Sequence, residues 1–233
     1  MKDSTYWNII ITEMVYKFIR LIGKPFVFAK FNPIILNANL IPPGGPIIFT
    51  PNHRETLDPI IIISATEKPI HWAALKRFFT GEDSIFNNNK NYFLCKFTTL
   101  ILKSIGAVSI DRDRCNISSV KKLNTYLKMG SSIGIFPEGT TNKNPRERDI
   151  LPFKLEILHF AKKNNAWIQP ISIVWMPKEV KKNRVIINFR PPFKIENMDI
   201  SKSSDKLINS IILGIKENEQ FISDLIEETK KYN

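Results

Sequence analysis

An α/β fold is predicted: one domain with a mixed, mostly parallel sheet flanked by helices, preceded by an N-terminal amphipathic helical segment. Three observations carry this prediction. Short apolar runs alternate with stretches of helical periodicity from Pro46 onward, the pattern of repeated strand and helix units. Proline and glycine turns such as "IPPGGP" at 41–46 punctuate the runs. With 233 residues and 43% hydrophobic content, the chain can bury one sizeable core.

Residues 1–31 form the N-terminal segment and 32–233 the α/β domain. The stretch "TYWNIIITEMVYKFIRLIGKPFVFAKF" mixes aromatic, aliphatic and basic residues. It fits a helix lying in the interface of an anionic membrane, with Trp7 and Tyr16 at headgroup level and Lys17, Arg20 and Lys24 meeting acidic lipids. It fits equally a core-packing helix, or a helical hairpin broken at Gly23 and Pro25. It carries too many charges for a membrane span.

Beyond it, the turn at 41–46 feeds a buried strand through Ile47, Ile48 and Phe49, and "PIIIISA" at 59–65 resumes helix. "IHWAAL" at 70–75 reads as the next strand, "GEDSIFNNNKN" as a loop, and Tyr92 to Ser104 as a helix. "GAVSI" at 106–110 is a strand that ends in the charged turn "DRDR". The best-bounded helix follows, with Asn116 as N-cap, Gly130 just past its end, and Ile117, Val120, Leu123 and Leu127 at helical spacing. "SIGIF" at 132–136 is a strand running into "PEGTT", and "PFKLEILHFAKK" at 152–163 is a helix. Strands at "WIQPISIVW" and "RVIINFR" precede a terminal helix through Leu207, Ile211, Ile215, Ile222 and Leu225.

Lysine and arginine number 34 against 22 acidic residues, a net charge of +12, which favours an anionic partner. The basic residues are scattered and form no nucleic-acid-binding motif, so nucleic acid is not the expected partner. Two cysteines, Cys95 and Cys115, make neither a disulfide framework nor a metal-ligand spacing, and no metal is expected. No secretory signal is legible among the charged residues near the N-terminus, which leads to the expectation of a protein peripheral or monotopic at the cytoplasmic face of the membrane.

The chemistry points to "TPNHRETLDPI" at 50–60, where His53 and Asp58 lie five positions apart. On a regular helix these side chains would diverge by about 140°, since a turn takes roughly 3.6 residues. With Asp58 as N-cap and Pro59 as the first helical residue, the preceding segment is a loop that can fold His53 back onto the carboxylate. A histidine so paired is a general base in waiting. Two further loops, "GAVSIDR" and "IFPEGTT", lie at the ends of apolar strands, where α/β folds assemble their sites.

Taken in order with "QPISI" around Pro170, these blocks from Pro46 to Val174 resemble the glycerolipid acyltransferase family, which includes the lysophosphatidic acid acyltransferases. The resemblance implies that His53 is the base and Asp58 its orienter, and that Arg112 holds a phosphate. It also implies Glu138, Gly139 and Thr140 as the acceptor loop and Lys154, of the family's Phe-Lys pair, as a further substrate contact. It implies acyl-CoA or acyl carrier protein as donor, a lysophospholipid as acceptor, and no cofactor.

The residue types suit those roles, since a guanidinium offers a planar fork to phosphate and Gly139 allows close backbone approach. Two positions depart from the family pattern. Thr141 stands where an arginine is usual, with Lys143, Arg146 and Arg148 following as substitute charges, and Glu156 stands where glycine is common.

A rival G-x-S-x-G match at Gly130, Ser132 and Gly134 runs from helix into strand, the reverse of a nucleophile elbow. The other two histidines, His71 in an apolar strand and His159 on an amphipathic helix, read as structural or surface residues.

Overall fold

A computed structural model describes residues 2–84, 92–111, 117–177, 184–196 and 199–231. Among these residues, seven strands build one sheet: β1 (Ile34–Leu36), β2 (Ile47–Pro51), β3 (Ile70–Leu75), β4 (Val108–Ile110), β5 (Ser132–Gly134), β6 (Trp167–Trp175) and β7 (Val185–Phe189). Their order is β1-β7-β6-β2-β5-β3-β4, and every pair is parallel except β6 with β7. Six helices pack around it: α1 (Lys2–Phe31), α2 (Asp58–Ala65), α3 (Tyr92–Ser104), α4 (Ile117–Lys128), α5 (Glu156–Lys163) and α6 (Ile200–Lys231).

The central strand β2 is buried at every position, as a parallel strand covered on both faces should be. Its side chains alternate between two cores. Ile48 joins Ile133, Leu127, Leu158, Ile168 and Ile211 beneath α4, α5 and α6. Ile47 and Phe49 join Ile61, Ile62, Trp72 and Phe31 beneath α1 and α2. Helix α6 reaches the sheet closely at Gly214, where a Cβ would lie 2.2 Å from Ser172 Oγ.

Three sequence expectations change. The hairpin alternative for the N-terminal segment fails, because α1 continues through Gly23 and Pro25. Pro25 lies on the exposed side, so the helical carbonyl it leaves unpaired can be solvated, while Tyr16, Val27 and Phe31 hold the opposite face in the core. Strand β1 was not expected, being three residues at the sheet edge that only its pairing with β7 defines. Asp58 is the first residue of α2 and Leu57 occupies the cap, one position from the expected boundary. Asn116, expected as the cap of α4, lies outside the described residues.

Candidate active site

The parallel strands β2, β5, β3 and β4 all end at one edge, and the loops leaving them form the site. Asn52 starts the first loop. Fully buried, it donates to Ile173 O at 3.0 Å and accepts from Ile173 N–H at 2.7 Å, fixing where the chain leaves β2. His53 follows, its Nδ1 3.0 Å from Asp58 Oδ2.

Asp58 is wholly buried yet saturated with donors. Oδ2 also accepts the N–H groups of Arg54 at 2.7 Å and Glu55 at 2.9 Å, and Oδ1 accepts the Trp175 indole N–H at 3.0 Å. Four donors converging on one carboxylate compensate its desolvation and keep it an acceptor. His53 therefore carries its proton on Nδ1, which leaves Nε2 as the basic nitrogen. The imidazole face is stacked on Phe136, with centroids 3.8 Å apart.

The loop after β5 brackets His53. Glu138 is buried, and its carboxylate accepts His53 N–H at 2.7 Å and Leu151 N–H at 2.8 Å. Burial raises its carboxyl above the usual range, opposed by those two N–H groups and by the charge of Arg54. Glu138 does not line the cavity beside His53; it anchors the backbone of His53 and Leu151. Asn142 N–H donates to His53 O at 2.8 Å, tying the same peptide from its other end.

Gly139 has φ +67°, and a Cβ there would stand 3.2 Å from Lys154 Cε, so both conformation and space call for glycine. Gly139, Thr140, Thr141 and Lys154 line the cavity, whereas Arg112 falls outside the described residues.

That cavity, of about 460 Å³, opens beside His53 and runs between α1, α2, β3 and α3. Apolar side chains including Ile19, Ile60, Ile63, Phe78, Leu102 and Ile105 line its inner part. Four cations reach it, Arg20, Lys24, Arg77 and Lys154, and no Asp or Glu is among the described residues around it. Arg20 is held by its Nε donating to Ile63 O at 3.2 Å.

Arg20 and Lys24, expected to face acidic lipids, thus face inward, because they share the α1 face of Tyr16 and Val27. Lys143, Arg146 and Arg148 are exposed and outside the cavity, so none of them replaces the arginine missing at Thr141. Arg77 is a cation the sequence did not single out; it follows β3 at the same sheet edge and pairs with Asp83 at 3.1 Å.

Elsewhere, His71 is buried, and desolvation drives its pKa down to about 4. Its Nδ1–H donates to Ile105 O at 3.2 Å. His159 is exposed on α5. Ser132, centre of the G-x-S-x-G match, is buried inside β5.

A family model described as Acyltransferase matches residues 34–174, from the first strand to the end of β6. The chain belongs to the Acyltransferase family. It is similar to a protein of Mycoplasma genitalium described as a probable 1-acyl-sn-glycerol-3-phosphate acyltransferase, with 25% identity over 201 residues, covering 85% of this chain and 70% of that protein. It is similar to the 1-acyl-sn-glycerol-3-phosphate acyltransferase of Borreliella burgdorferi, with 24% identity over 142 residues, covering 60% of this chain and 50% of that protein. Among solved structures, the 1-acyl-sn-glycerophosphate (LPA) acyltransferase PlsC from Thermotoga maritima shares the fold. The TM-score is 0.63 at 17% identity, over 94% of this chain and 84% of that one. This acyltransferase places its α1 outside the stretch that the family model matches, although α1 supplies one wall of the cavity.

Proposed function

We propose that this acyltransferase moves a fatty acyl group from a thioester donor, acyl-CoA or acyl carrier protein, to the free hydroxyl of a lysophospholipid, with lysophosphatidic acid as the foremost acceptor and phosphatidic acid as product. The observation that carries the reading is the His53–Asp58 pair at the mouth of an apolar cavity whose charged lining, among the described residues, is basic. His53 Nε2 takes the proton of the acceptor hydroxyl as its oxygen attacks the thioester carbonyl. The tetrahedral adduct expels the thiolate, which recovers that proton from the imidazolium. Asp58 stabilises the imidazolium between the two transfers.

The apolar depth suits an acyl chain, and Lys154, Gly139 and Thr140 stand where a phosphate and glycerol would meet the base. The relatives' names support the acceptor class, as does the absence of any carboxylate among the described lining residues.

The surface supports the proposed location. On α1, Trp7, Ile11, Met14, Phe18, Leu21 and Ile22 are exposed and outside the cavity lining, and Phe93, Phe97 and Leu100 are exposed on α3. Among the described residues no helix is long and apolar enough to cross a membrane. This arrangement supports a monotopic or peripheral seat on an anionic membrane, for which the cytoplasmic face is our proposal.

The test is an assay of the purified protein against a panel of lysophospholipids with both donor types, read by lipid mass spectrometry. Phosphatidic acid formation that depends on lysophosphatidic acid and a thioester is the expected result. A clear preference for a lysolipid without a phosphomonoester, or for an amine, would move the acceptor assignment elsewhere.

A further inference from the structure

An imidazole held only through Nδ1 can still rock about the Nδ1···Oδ2 line, and rocking swings Nε2 away from the hydroxyl it serves. His53 has a second restraint. The Phe136 ring lies against its face with centroids 3.8 Å apart and planes inclined by 22°. Phe136 in turn stacks on Trp72 at 5.1 Å and 24°. Trp72 lies directly opposite Gly134 in the β3–β5 register, and a Cβ on Gly134 would approach Trp72 Cε3 to 2.5 Å. The indole can lie flat there only because residue 134 has no side chain. Gly134 and Phe136 are two positions apart, so one strand direction supplies both the seat of the indole and the ring above it.

An aromatic face carries the negative lobe of its quadrupole, so it attracts a cation placed over it. The imidazole gains a charge during the proposed transfer, so the attraction is greatest when His53 is protonated.

We propose that Phe136 is a positioning residue for the base, holding the plane of the His53 imidazole and stabilising the imidazolium, with Trp72 on Gly134 as its brace. This role rests on His53 being the base of the proposed transfer. Phe136 also lines the cavity, where a packing role alone would act on substrate affinity. Positioning acts instead on kcat.

The experiment compares full-length Phe136→Leu, Phe136→Met and Phe136→Tyr in steady-state transfer from an acyl-CoA to lysophosphatidic acid, together with carbon–proton NMR of the histidine rings. His53→Ala identifies the His53 signals and serves as the control for the base. In Phe136→Leu and Phe136→Met, kcat should fall about 10-fold with both KM values within about twofold, and Phe136→Tyr should restore kcat. The His53 ring-proton signals should move downfield when the aromatic ring is lost and return in Phe136→Tyr. An unchanged kcat in either aliphatic variant, a loss confined to KM, or unmoved His53 signals would overturn the role. Leucine and methionine load the fold differently, so misfolding of one leaves the other to decide. If His53→Ala keeps transfer activity, the base assignment fails instead, and the ring signals still report whether the stack exists.

Discussion

His53 and His71 are built alike and do different things. Each lies against an aromatic ring with centroids 3.8 Å apart, His53 on Phe136 and His71 on Tyr126. Each points Nδ1 at an oxygen, His53 at a carboxylate and His71 at the carbonyl of Ile105. The His53 ring keeps 17% of its surface open and adjoins the cavity, whereas His71 is wholly buried. Nearly parallel stacking does not make a base, since His71 has it and burial keeps that ring neutral. What separates the two is the buried anion behind Nδ1 and the open space in front of the ring.

The comparison breaks most sharply if the carboxylate is removed. His53→Ala should reduce acyl transfer by about 10²- to 10⁴-fold, the usual loss of a general base, and Asp58→Asn should fall in the same range. His71→Phe should keep transfer within about twofold, since that ring reaches no substrate. Transfer rates of the three variants, measured side by side, check this; equal losses at 53 and 71 would erase the distinction.

The open side of His53 is probed by Lys154→Ala. A charge-assisted contact is worth about 1.5 to 3 kcal/mol, so the acceptor KM should rise by about 10-fold or more while that of the donor stays put. A rise in the donor KM alone would place Lys154 on the thioester side.

Trp175→Phe keeps the ring and removes one of the four donors to Asp58. The carboxylate then lacks a partner at Oδ1, which should lower kcat several-fold and stability by about 1 to 3 kcal/mol. Denaturant unfolding and kinetics on the same sample test both parts.

The smallest effect on transfer is the pH response of His71. Its folded pKa, about 4, lies below the ordinary 6.5, so between those values the unfolded chain binds a proton that the folded chain refuses. Stability contributed by the neutral ring is complete above pH 6.5 and declines as pH falls toward 4. In His71→Phe, the fall in unfolding free energy between pH 7 and pH 5 should be shallower than in the parent. Identical slopes would remove His71 as its source.

The dyad was legible because its signal is local: an apolar strand, a histidine, a carboxylate five positions on, and a proline that starts a helix. The contacts that complete it are not local. Trp175 reaches Asp58 across 117 positions and Glu138 reaches His53 across 85, so no spacing announces either. The same gap covers the contacts of Glu138: the motif marks the position, but only the folded loop shows that both oxygens take backbone N–H groups. Strands β2 to β7 and helix α4 followed from periodicity, whereas their order in the sheet did not. Edge strand β1 and the inward turn of Arg20 and Lys24 depend on partners that the periodicity of one segment cannot contain.

The peptide of His53 is clasped at both ends by the loop that follows β5, its N–H by Glu138 and its C=O by Asn142. Cavity-lining residues 139–141 lie between those two clasps. The histidine and that wall of the cavity are therefore tied as one piece: any displacement of the loop would also loosen its hold on His53, so the shape of the cavity and the placement of the imidazole are set together.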